Sequence, residues 1–73
     1  MVKYIVTRAE NLEFEMNIDD PVVFDNKKDA REYMNNLFKK MYDYGEEIEI
    51  LPDSITMHDD CIDVQIRVSE IEV

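Results

Sequence analysis

The sequence holds one cysteine, one histidine, one glycine and two prolines in 73 residues. Each scarcity excludes something. A lone cysteine rules out an internal disulfide. With a single histidine three positions away, it also leaves too few donors for a structural zinc site, which draws four nitrogen or sulfur ligands from spaced pairs. The acidic turns lack the central glycine of a calcium loop. No apolar run approaches the ~20 residues of a membrane span, and the opening stretch MVKYIVTRAE has no signal-peptide core. Positive charge is scarce as well. Eight Lys and Arg face eighteen Asp and Glu, a net charge of −10, which argues against nucleic acid or an anionic membrane as a direct partner. A free cysteine without an export signal favours the reducing cytoplasm. The five methionines are adaptable packing residues and imply no cofactor.

The length fits a single domain over 1–73. A chain of this size hides only about 60% of its unfolded surface. Small scaffolds of that kind rely on a staple, a metal or a partner chain. With the first two excluded, a homodimer is the expectation.

What is present is one clear helix and several short alternating runs. From Asp25 to Gly45 the chain reads DNKKDAREYMNNLFKKMYDYG. Ala30, Met34, Leu37 and Met41 fall on one face of a 3.6-residue period. Tyr33 and Tyr44 flank that stripe on one side, Phe38 and Tyr42 on the other. The apolar sector then spans roughly 180°, wider than the about 100° of a minimal core-facing stripe. Asp25 or Asn26 suits the N-cap, Lys39 and Lys40 suit the negative C-terminal end, and Gly45 suits a left-handed C′ position. The helix is expected over about 26–44.

Strands are expected over about 2–8, 12–18, 46–51, 54–58 and 61–69. In the first, apolar residues point both ways, which implies an interior strand or a second face that another subunit covers. Ala9 to Asn11 reads as a turn. Leu12, Phe14, Met16 and Ile18 then alternate with polar residues as a half-buried strand facing inward. Asp19-Asp20-Pro21 breaks it, and Val22 to Phe24 forms an extended lead-in beneath the helix. Ile48 and Ile50, then Ile55 and Met57, point inward on the next two strands, and Asp59-Asp60 reads as a tight turn. Ile62, Val64, Ile66 and Val68 share a face on the longest strand. Ile71 and Val73 fall out of phase, which a bulge, a departing tail or pairing with another subunit would explain. The fold class is α+β in the order ββαβββ, one amphipathic helix packed on a small, mainly antiparallel sheet.

Candidate sites are few. His58 and Cys61 lack an orienting third group for nucleophilic chemistry, and the acids around them read as a polar hairpin tip; no catalytic residue is expected. The outward acids Glu13, Glu15, Glu47, Glu49 and Asp63 would form an acidic sheet face. Duplex DNA carries one charge per ~1.7 Å, so such a face has the means to imitate it to a nucleic-acid-binding host protein. Acids also solvate sheets and protect their edges. Tyr33, Phe38, Tyr42 and Tyr44, with Ile71 and Val73, are candidate interface residues, since aromatics are enriched at interface cores.

Three stretches, VKYIVTR, VVFDNKKDAREYMNNLFKKMYDYG and CIDVQIRV, follow one another in a layout that resembles small uncharacterised proteins encoded by prophages of low-GC Gram-positive bacteria. The resemblance implies a homodimer with one helix and a few strands per subunit, in a phage setting. It transfers no catalytic or binding residue. The expected function is thus a non-enzymatic homodimeric interaction protein, with an acidic DNA-mimic inhibitor as the alternative.

Overall fold

The computed structural model describes residues 1–42, 47–59 and 61–73. One helix lies across one face of an antiparallel sheet, an α+β fold. The elements run β1 (Val2–Leu12), β2 (Met16–Ile18), β3 (Val22–Phe24), α1 (Lys27–Met41), β4 (Glu47–Leu51), β5 (Ser54–Asp59) and β6 (Ile62–Glu72). The sheet order is β2-β1-β6-β5-β4, with β3 also paired to β1.

The helix begins where its sequence places it. Asn26 is the N-cap: its side-chain oxygen accepts from the Asp29 amide at 2.8 Å, and its amide donates to the Asp29 carboxylate at 3.0 Å. Such a cap contributes about 1 kcal/mol. The helix ends at Met41, with Tyr42 extended at the C-cap. The proposed C′ role of Gly45 and the Asp59-Asp60 turn lie wholly or partly outside the described residues, as does Tyr44. Ala30, Met34 and Phe38 are buried against Val6, Ile55, Met57, Val64, Ile66 and Val68. Full burial of a side chain such as Ile66 or Met34 contributes roughly 1.5–3 kcal/mol, so this single layer is the core.

β1 and β6 form the spine, paired without interruption from Val2↔Glu72 to Leu12↔Ile62. Two expectations fail here. Ala9 to Asn11 is no turn, because those residues pair with Gln65, Val64 and Asp63. The chain turns instead at 13–15, closed by a Leu12 N–H bond to the Glu15 carbonyl at 2.7 Å. No bulge re-aims β6 and no tail departs, so Ile71 pairs with Lys3 in phase with Ser69 and Arg67.

The run from Leu12 to Ile18 is corrected as well. Phe14 is 93% exposed, Met16 60% and Ile18 69%. β2 and β3 are two pieces of one broken edge strand. Ile18 lies opposite Ala9, whereas Val22 lies opposite Val6, a register change of one residue across Asp19-Asp20-Pro21. A one-residue shift moves side chains to the other face. Even-numbered residues therefore point away from the helix before the break and towards it afterwards. Proline is tolerated there because this is a sheet edge. Ile50, expected inward, is 58% exposed, because α1 packs over β1, β3, β5 and β6 and β4 lies beyond its footprint. Among the described residues no helix is long and apolar enough to cross a membrane.

Candidate interaction surface

Residues paired across an antiparallel ladder share a face, so the registers fix what the sheet shows on the side opposite α1. Along β1 that side carries Lys3, Ile5, Thr7, Ala9 and Asn11, and along β6 it carries Ile71, Ser69, Arg67, Gln65 and Asp63. Val23 lies beside Ile5, Ile18 beside Ala9 and Met16 beside Asn11. On the other flank come Ser54, Thr56 and His58 of β5, then Leu51, Glu49 and Glu47 of β4.

This open face is divided. Ile71, Ile5, Val23, Ala9, Ile18 and Met16 make an apolar stripe on the β1 side. Ile5, Ala9 and Ile71 are half-buried by their neighbours, while Val23 is 53% exposed. No part of the described chain crosses it. The β4–β5 side is polar and acidic. Where the two meet, a shallow depression of about 390 Å³ is bordered by Asn11, Met16, Thr56, His58, Asp63 and Gln65.

His58 Nδ1 lies 2.6 Å from Asp63 Oδ1. The Asp63 hydrogen bond and charge, with Glu47 alongside, hold the imidazole above its ordinary value of 6.5. Both side chains are about 60% exposed, so the pair is open to water on its outer side. Cys61 is exposed. Among the described residues no group of three His, Cys, Asp or Glu side chains is placed to hold a metal ion.

The expected acidic row is only partly assembled. Glu47, Glu49 and Asp63 share the open face. Glu13 and Glu15 do not, because they occupy the turn between β1 and β2, at the same end of the sheet. The expected aromatic interface is corrected for Phe38, which is 2% exposed and belongs to the monomer core. Tyr33 packs against Phe24 with ring centroids 5.2 Å apart. Tyr42 packs on Phe38 at 5.6 Å. Tyr33 and Tyr42 are partly buried against the core. Ile71 is half-buried and Val73 65% exposed at the end of β6.

A cluster on the helix side is not legible in the sequence. Arg8 is 7% exposed on β1. It donates to both Asp19 oxygens, to Glu10 at 3.0 Å and to the Tyr42 hydroxyl at 2.5 Å. Tyr42 in turn donates to Glu10 at 2.8 Å, and Asn17 donates to Glu10 at 3.2 Å. Hydrogen bonding by Asp19, then by Tyr42, keeps the guanidinium firmly protonated. The Tyr42 hydrogen bond, followed by those of Asn17 and Arg8, lowers Glu10, and Arg8 lowers Asp19. Burial first and Glu10 second raise Tyr42. With carboxylates already on its donors, Arg8 acts as a clamp that joins β1, the broken edge strand and the end of α1.

No protein-family model, no curated protein and no solved structure matches the chain.

Proposed function

We propose that the protein is a non-enzymatic homodimer that works by binding other proteins, with its two copies joined through the open sheet face. One observation carries the reading. The β1–β3 register puts Val23 beside Ile5, and the unbroken β1–β6 register puts Ile71 diagonally across from Ile5, all on a face that the described chain leaves bare. The pattern also favours one arrangement of the copies. Sheets pack face to face about 10 Å apart, with strands aligned to within about 30°. A two-fold axis across the strands, through the level of Thr7 and Arg67, lays Ile5 over Ala9 and Val23 over Ile18. It also lays Ile71 over Asp63, at the rim of the depression. A two-fold axis along the central strand β6 would instead bring both Glu47 and Glu49 over Met16 and Ile18, stranding two carboxylates of each copy on apolar surface rather than one. The molecule's broad side measures 41 × 21 Å, enough for the ~800 Å² per partner of a standard interface. The resemblance to dimeric prophage proteins supports the same reading and suggests a phage setting.

Glu47, Glu49 and Asp63 on one face favour a second reading, an acidic decoy for a nucleic-acid-binding host protein. It requires duplex DNA to compete for the captured partner.

Sedimentation equilibrium tests the dimer. The expected mass at micromolar concentration is that of two chains. Val23→Lys combined with Ile18→Lys, both at exposed positions, is expected to weaken association about a hundredfold or more by placing like charges together. A wild-type monomer at these concentrations would overturn the proposal.

A further inference from the structure

The outer edge of β4 is a second surface with a definite chemistry. β4 pairs only with β5 among the described residues, in a constant register from Glu47↔His58 to Leu51↔Ser54. No described residue pairs with its free side, and exposed edges offer their backbone groups to any extended chain. Sheet edges are commonly blunted by proline, charged side chains or a bulge. EIEIL has no proline or bulge, and its only charges, Glu47 and Glu49, repel acidic strands while leaving the edge open to basic ones. The opposite edge is treated differently: Pro21 and the register break divide it into two three-residue pieces.

We infer that β4 receives an extended segment of another protein by strand addition, and that this segment alternates basic with apolar residues. The alternation follows from the faces. Glu47 and Glu49 point to the open face, Ile48 and Ile50 to the helix face. Ile50 is 58% exposed, because α1 does not extend over β4. An added strand therefore meets carboxylates on one side and aliphatic surface on the other. Opposite charges across a strand pair are favourable and like charges unfavourable. The same rule disfavours a second copy as occupant, since antiparallel β4–β4 pairing centred on Glu49 sets that glutamate against itself. The net charge of −10 steers basic partners towards the protein. The backbone edge of β4 points sideways out of the face proposed to join the copies, although Glu47 and Glu49 border both, and a monomer would carry it equally.

The test uses synthetic peptides and the full chain. A peptide alternating lysine with valine is compared with one of the same composition whose lysines form a single block. The third peptide is the alternating one N-methylated at every residue, so that neither of its edges donates to β4. The alternating peptide is expected to bind at least about tenfold more tightly than either control, and to protect β4 amides from hydrogen exchange. Glu47→Lys combined with Glu49→Lys is expected to shift preference to a glutamate–valine peptide. Equal binding by the blocked or N-methylated peptide, or unchanged exchange at β4, would overturn the inference. Because these readouts do not depend on mass, their failure is distinguishable from failure of the dimer.

Discussion

The Arg8 guanidinium and the Asp19 carboxylate are joined by two parallel hydrogen bonds, Nε to Oδ2 at 2.7 Å and Nη2 to Oδ1 at 2.8 Å. The Asp19 amide also donates to the Arg8 carbonyl at 3.1 Å. This fork holds the edge strand where it breaks, so the exposure of Ile18 on one side and the pairing of Val22 on the other both depend on it.

Arg8→Ala is therefore expected to cost about 2–3 kcal/mol, below the range for breaking a fully buried pair, because Asp19 is 44% exposed. Arg8→Lys should cost less, yet more than a surface change, since lysine lacks the planar fork. Urea unfolding would show both as lowered midpoints with little change in slope. A midpoint for Arg8→Ala equal to wild type would show that the clamp contributes nothing.

The same cluster contributes to the acid limb of stability. Asp19 and Glu10 both titrate lower in the folded chain than their ordinary values of 3.8 and 4.5. Groups depressed on folding stabilise above their unfolded values, and that contribution is lost as pH falls through the folded ones. Stability should hold from neutral pH down to about 4 and then decline. Arg8→Ala should flatten this decline, which denaturant titrations across pH would reveal.

His58 has the opposite sign. Its folded value lies above 6.5, through Asp63 first and Glu47 last. Any stabilisation is complete below 6.5 and fades as pH rises through the folded value, and at an exposed pair it is small. The direct observable is an NMR titration. Its midpoint is expected above 6.5 and should fall towards that value in Asp63→Asn. An unmoved midpoint would remove Asp63 as the cause.

Phe38 separates core from interface. Buried at 2% exposure, it should cost about 3–5 kcal/mol when changed to alanine. Thermal melting should show a broad loss of stability, rather than selective dissociation of an otherwise stable monomer.

The helix was legible because its period extends over four turns and its cap is local: Asn26 and Asp29 are three residues apart. Ile55, Met57, Val64, Ile66 and Val68 were legible for the same reason, an alternation with nothing to interrupt it. Alternation tells which residues share a face, but not which face that is. Met16 and Ile18 face the open side rather than the core because the side is decided at the 13–15 turn and at the Asp19-Asp20-Pro21 break. β1 runs past Arg8 to Leu12 because Arg8 and Glu10, polar residues on the helix side that in the sequence look like the approach to a turn, are met there by Tyr42 and Asp19. The open apolar stripe did leave a trace. Ile5 opposite in phase to Tyr4 and Val6, and Ile71 out of phase with Val68, already marked a second apolar face.

That face has one most direct test. In a sample mixing isotope-labelled and unlabelled chains, filtered NMR experiments report only contacts between copies. Contacts are expected from Val23 of one copy to Ile18 of the other, and from Ile5 to Ala9, with none from Phe38. A dimer whose intermolecular contacts arise from the helix, or a sample that shows none, would contradict pairing through the open face.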